Sequence, residues 1–173
     1  MVELACGLKS RGHHVEMFVY FPQHDFFRKR VADEGIMVHE FAKEGRFSLR
    51  LILRLARVMR AGSFDIVVSY LKNTNIYAEL AKLCSRNTKL IVSERTSYLD
   101  DRSAMAALAR RSLHAIADQV VANSEAQAEW LRQKRWLSDK VSCIYNGLDL
   151  DEFRPLPSAG AVPSTASDTK LLC

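Results

Sequence analysis

A chain of 173 residues that is 48% apolar and 26% charged, with a net charge of +5, has enough apolar residues for one packed core and too little charge imbalance for disorder. No apolar run approaches the roughly 18 residues that span a bilayer, and the amino terminus lacks the basic stretch, apolar core and small-residue cleavage site that direct secretion. Cys6, Cys84, Cys143 and Cys173 are scattered, without Cys-x-x-Cys spacing or a nearby paired His, which predicts free thiols in a reducing cytoplasm, no metal and no cofactor.

In chain order, residues 1–11 read as a helix carrying Val2, Ala5 and Leu8 on one face and ended by Gly12. Beyond it, short β-branched or aromatic runs predict strands at 15–21, 36–41, 66–70, 90–93, 119–122 and 141–145. Helical periods between them predict helices at 25–33, 48–61, 75–84, 103–116 and 125–135. This alternation builds an α/β domain of Rossmann-like, doubly wound type. Right-handed crossovers join its parallel strands, so their carboxyl ends line one edge where ligands bind. Such a domain normally opens on a central strand and a glycine-bearing turn, so a first strand is expected to be missing ahead of Met1. Residues 154–168 are rich in Pro, Ser, Ala and Gly and read as a linker. Residues 169–173, with Leu171 and Leu172, read as the start of a second domain, leaving 1–153 as the first.

Four motifs fall at that ligand edge. Ser93-Glu94-Arg95-Thr96 follows the buried run Leu90-Ile91-Val92; Arg95 suits a diphosphate or acidic sugar, and Glu94 suits an acceptor hydroxyl or the arginine itself. The competing reading is a structural ion pair that closes a loop. Asn123-Ser124-Glu125-Ala126-Gln127 makes Ser124 a helix N-cap in a capping box, at a helix terminus that also offers amides to a phosphate. In Tyr70-Leu71-Lys72-Asn73-Thr74-Asn75, the residues Lys72, Asn73 and Asn75 can bond sugar hydroxyls, although a helix cap at Thr74 or Asn75 is the simpler account. Asn146-Gly147 alone signals a turn. His13 and His14 precede a strand as solvated or capping residues rather than ligands.

Away from that edge, Arg46, Arg50, Arg54, Arg57 and Arg60 recur at offsets that gather them within about a third of a helix circumference. Leu49, Leu53, Ala56 and Met59 are expected elsewhere around it. Such a ridge suits anionic lipid headgroups or a phosphate-bearing lipid acceptor, and equally suits a solvated face of a basic protein. Nucleic acid is not expected, because no aromatics interleave with the arginines and no nucleic-acid module is visible.

Three segments together, Lys9-Ser10-Arg11-Gly12-His13-His14-Val15, Asn123-Ser124-Glu125 and Val141 to Pro155 with its Asn146-Gly147-Leu148-Asp149 turn, carry a resemblance. In order and spacing the chain resembles the amino-terminal, acceptor-side half of a GT-B fold, family four retaining glycosyltransferase. The resemblance implies a second Rossmann-like domain, holding most of a nucleotide-sugar donor, and a glycan or polyprenyl-linked acceptor mainly on this one. It also implies transfer with retention and without a metal, the departing phosphate helping to remove the acceptor proton, and an inactive fragment on its own. Many relatives carry a His near the rim where this chain has Ser-Glu-Arg-Thr, which is similar to a subset acting on polyprenyl-linked or surface glycans. Ser124 is implied at the interdomain cleft, and Phe153 as an anchor near the hinge. A stand-alone binding or regulatory module and a GT-B-type sugar-nucleotide epimerase are the alternatives.

Overall fold

The computed structural model describes residues 1–21, 26–43, 45, 47–85, 87–95, 108–109 and 111–147. The chain begins with helix α1 (Val2–Ser10), whose end is marked by Gly12 at φ +86°, a left-handed conformation that glycine adopts without steric cost. Strand β1 (Glu16–Val19), helix α2 (Arg28–Asp33) and strand β2 (Met37–Glu40) follow. Helix α3 (Leu49–Ala61) starts where Ser48 Oγ accepts a hydrogen bond from the Leu51 amide at 3.3 Å. Then come β3 (Ile66–Tyr70), α4 (Lys72–Lys82) and β4 (Lys89–Glu94), and, after a 3₁₀ turn at Leu113–Ile116, β5 (Gln119–Ala122). Helix α5 (Glu125–Arg132), a second 3₁₀ turn (Ser138–Lys140) and β6 (Val141–Cys143) complete the described elements.

All strand pairs are parallel, as the alternation of strands and helices predicts, but they form two sheets. One holds β1 and β2; the other runs β3-β4-β5-β6. Among the described residues β1 and β3 share no ladder. A strand laid between them would give the order 3-2-1-4-5-6-7, which continues the doubly wound pattern. Side chains link them: Tyr20 Oη and Thr74 Oγ1 lie 3.0 Å apart, and the His14 ring stacks on Phe64 at 6.3 Å. Inner strands of parallel sheets are normally covered on both faces, yet Ile66 is 54% and Val68 37% exposed on β3.

Helix α3 buries Leu51, Ile52, Leu55, Ala56 and Met59 against a core that continues through Tyr77 and Ala78 of α4, Leu90 and Val92 of β4, Val120 of β5 and Leu131 of α5. Fully burying such side chains contributes about 1.5–3 kcal/mol each, enough to fix which helix face turns inward. A second cluster of Ala5, Cys6, Val31 and Ile36 holds α1 and α2 on the smaller sheet. Leu49 and Leu53 were expected away from the arginines. Instead they are 63% and 54% exposed and lie on the same outer side as Arg57 and Arg60. At about 100° per residue, Leu53 falls between the two arginines around the helix axis, so the outer face is mixed. No helix among the described residues is long and apolar enough to cross a membrane.

Candidate functional site at the carboxyl edge of the larger sheet

The carboxyl ends of β3, β4 and β6 meet through one side chain. Arg95, directly after β4 and exposed, donates from Nη1 to Asn146 Oδ1 at 2.8 Å and from Nε to Ser93 Oγ at 3.2 Å. Its guanidinium lies over the Tyr70 ring at 5.0 Å. Because β5 lies between β4 and β6, the bond from Arg95 to Asn146 passes over the tip of β5, which leads into Asn123 and Ser124. A planar cation held by two hydrogen bonds and a ring face loses little freedom when it meets an anion, which favours binding. Burial raises the Tyr70 pKa while Arg95 opposes it, so the phenol stays neutral.

Asn75 serves this edge from beneath. It sits in the second turn of α4, fully buried, accepting from Ser69 Oγ at 2.9 Å and donating to the Ser93 carbonyl at 3.1 Å. The side chain therefore ties β3 to β4 directly under Arg95, and it does not face solvent. Neither Thr74 nor Asn75 caps the helix, contrary to the simpler expectation: α4 starts earlier, at Lys72, straight from Leu71. Leu71 has φ +73° and ψ +148°, a region that is essentially glycine's, and its side chain is 61% exposed. Such strain costs about 1–3 kcal/mol and tends to persist at functional sites.

Glu94, expected at the rim, points into the protein. Its carboxylate and that of Glu79 on α4 enclose His114 of the first 3₁₀ turn, and all three side chains are fully buried. Nε2 of His114 is 3.1 Å from Glu94 Oε2, and Nδ1 bonds Glu79 Oε1. A ring that donates to a carboxylate from each nitrogen is the imidazolium, so this pairing favours the protonated form. Burial alone would lower the His114 pKa; hydrogen bonds to Glu79 and Glu94 outweigh it and raise the pKa. Sequence reasoning missed His114 and Glu79. The signal was there in two ionisable residues on the apolar faces of predicted helices.

The remaining predicted residues are spread around the same edge. Ser124 caps α5, accepting from the Gln127 amide at 3.3 Å, which is the hydroxyl half of a capping box. Lys72 is half-buried and Asn73 exposed at the start of α4, and Asn146 and Gly147 are exposed. Arg50, Arg57 and Arg60 are exposed on α3, and Arg54 is half-buried over the Phe41 ring at 4.8 Å. Arg46, Thr96, Phe153, the expected linker 154–168 and residues 169–173 lie outside the described residues. A cavity of about 610 Å³ opens at the opposite edge, among Phe64, Asp65, Cys84 and Thr88, and brings none of the predicted site residues together. Among the described residues no group of three or more His, Cys, Asp and Glu side chains is placed to hold a metal ion.

The family model described as Glycosyltransferase Family 4 matches residues 1–152, most of the chain and all of this edge. The chain belongs to glycosyltransferase family 4. Solved structures agree on the fold. Alr3699/HepE of Anabaena in complex with UDP and glucose superposes with a TM-score of 0.71 at 18% identity, over 91% of this chain and 42% of that one. The same protein in complex with UDP-glucose gives 0.72 at 18% identity, with the same 91% and 42% coverage. A glycosyltransferase of Rickettsia africae ESF-5 gives 0.67 at 20% identity, over 94% and 41%. The family 4 domain thus has a GT-B glycosyltransferase domain fold and spans about two fifths of the length of these structures. No curated protein matches it.

Proposed function

We propose that this family 4 domain is the acceptor-side half of a glycosyltransferase that moves a sugar from a nucleotide donor to a glycan or polyprenyl-linked acceptor, with retention of configuration. The observation that carries the reading is Arg95: a guanidinium fixed by Asn146, Ser93 and Tyr70 at the sheet's carboxyl edge, within a family 4 match that covers that edge. Arg95 neutralises an anionic group of the acceptor or its carrier. Asn73, Lys72 and the Asn146–Gly147 turn bond acceptor hydroxyls beside it, and Ser124 at the amino end of α5 faces donor phosphate. Glu94 and His114 hold the tip of β4 rather than touch substrate. The donor is a nucleotide sugar, in keeping with neighbours whose complexes contain UDP or UDP-glucose, and it sits mainly on a partner domain. The 173 residues alone are inactive.

The test is product analysis of the full-length parent incubated with nucleotide sugars and candidate acceptors. Transfer with retained configuration, lost on Arg95→Ala, supports the reading. Epimerised nucleotide sugar with no glycan product, or transfer indifferent to Arg95→Ala, contradicts it.

A second reading concerns location. Exposed Leu49 and Leu53 beside Arg57 and Arg60, on a helix without a single acidic residue, favour peripheral docking on an anionic inner membrane face. Sedimentation with anionic vesicles, comparing wild type with Arg50, Arg54 and Arg57 changed to Gln, decides it; equal binding removes the ridge.

A further inference from the structure

The end of the smaller sheet carries a cluster that neither the arginine ridge nor Arg95 accounts for. Tyr20, after β1, and Tyr77, on α4, pack with ring centroids 5.8 Å apart. Both are pinned: Tyr20 Oη to Thr74 Oγ1 at 3.0 Å, and Tyr77 Oη as acceptor from the Ser48 amide at 3.2 Å. Phe47 stacks on Tyr77 at 5.7 Å and an interplanar angle of 18°, while remaining 59% exposed. Lys43 Nζ sits 5.4 Å from the Tyr77 centroid and 6.0 Å from that of Tyr20, and no carboxylate pairs with it among the described residues. An ammonium held against ring faces is fixed in place yet keeps donors for an anion. An open aromatic face beside it suits the C–H face of a sugar ring.

This platform and the other cation are joined through the start of α4. Thr74, which bonds Tyr20, sits in the first turn of α4, and Leu71, which follows the tyrosine under Arg95, leads into that helix. Asn73 is exposed between them. Resting on the acceptor-side reading above, we infer that Phe47, Tyr77 and Lys43 form an acceptor subsite for an anionic saccharide. The sugar ring stacks on Phe47, and its carboxylate or phosphate pairs with Lys43. Charge complementarity selects the occupant, because a neutral glycan leaves Lys43 unanswered.

Binding of the 173-residue chain to matched oligosaccharides by isothermal titration tests this. The ligands are a glucuronate oligomer, a phosphosugar, a neutral glucose oligomer and inorganic phosphate. Preference for either anionic saccharide over the neutral one by about tenfold, lost in Lys43→Gln, supports the subsite, and the two anionic ligands separate carboxylate from phosphate. Phe47→Ala should weaken both saccharide classes while Phe47→Trp restores them, and inorganic phosphate should bind without sensitivity to Phe47. Phe47 is exposed, so an unchanged melting curve shows that these variants stay folded. Equal binding of neutral and anionic ligands, insensitivity to Lys43→Gln, or binding to anionic vesicles but to no saccharide overturns the subsite. Transfer by the parent that ignores Lys43→Gln removes the subsite and leaves the glycosyltransferase reading. Saccharide binding without any transfer removes only the latter.

Discussion

Replacing His114 by Leu should be the most damaging single change in the described core. The substitution removes the cation between Glu79 and Glu94 while all three positions remain fully buried. Breaking a buried pair costs about 3–5 kcal/mol, because Glu79 and Glu94 lose the ring that bonds them both. Against a total stability of about 5–15 kcal/mol, that is a large share. For a domain of this size it lowers the thermal midpoint by about 6–20 °C. Removing a like-charged neighbour should relieve the loss, so His114→Leu in a Glu79→Leu background should cost less than half as much. The pH dependence follows from the raised pKa of His114. Its contribution is fully present below the ordinary value of 6.5 and disappears as pH rises through the folded value. Wild type should therefore lose stability on the alkaline side through this group, and His114→Leu should lack that slope. Thermal melts by circular dichroism from pH 5 to 9 on the four proteins of the cycle measure all of this. A midpoint within about 2 °C of wild type, or strictly additive single changes, would refute the buried imidazolium.

Asp118 offers the opposite sign. Burial would raise its pKa, but the Leu90 amide, Lys82 and Lys89 outweigh that and hold it at about 2, against an ordinary 3.8. Its contribution is present above 3.8 and disappears as pH falls toward 2, so Asp118→Asn should flatten acid unfolding in that window, as read by melts at fixed salt. Leu71→Gly should stabilise the domain by about 1 kcal/mol or leave it unchanged, although glycine usually costs stability at an ordinary position. Urea unfolding that shows a loss above about 1 kcal/mol would contradict the strained turn. Asn75→Ala should cost about 1–3 kcal/mol by stranding Ser69 and the Ser93 carbonyl, and should weaken Arg95-dependent ligand binding with it.

Much of this fold was legible because apolar runs and helical periods alternate with little interruption. Strands at 66–70 and 119–122 match β3 and β5 at both ends, and Ser48 and Ser124 cap the helices they precede. The two sheets were not legible, since no local pattern encodes which strands pair. The start of α4 was misread because Thr74 and Asn75 carry a cap's chemistry, while the chain turns at Leu71, a residue with no turn preference. The outer face of α3 looked purely basic until Leu49 and Leu53 proved to share it. At the site, Arg95 and Asn146 meet across 51 residues of sequence, and both were picked out as strand-tip residues. Glu79 and His114, 35 residues apart, meet only through packing of α4 on a 3₁₀ turn, so spacing could not pair them.

The central claim is that the carboxyl tips of β3, β4 and β6 form one anion-reading edge around Arg95. The most direct measurement is an NMR titration of the isotope-labelled domain with an anionic oligosaccharide, beside the same titration of Arg95→Ala. Shifts should appear at Tyr70, Asn73, Arg95 and Asn146 beside those of the Lys43 and Phe47 platform, and the first group should be weakened by the substitution. Shifts centred instead on Asp65, Cys84 and Thr88 at the opposite edge, unchanged in Arg95→Ala, would contradict it.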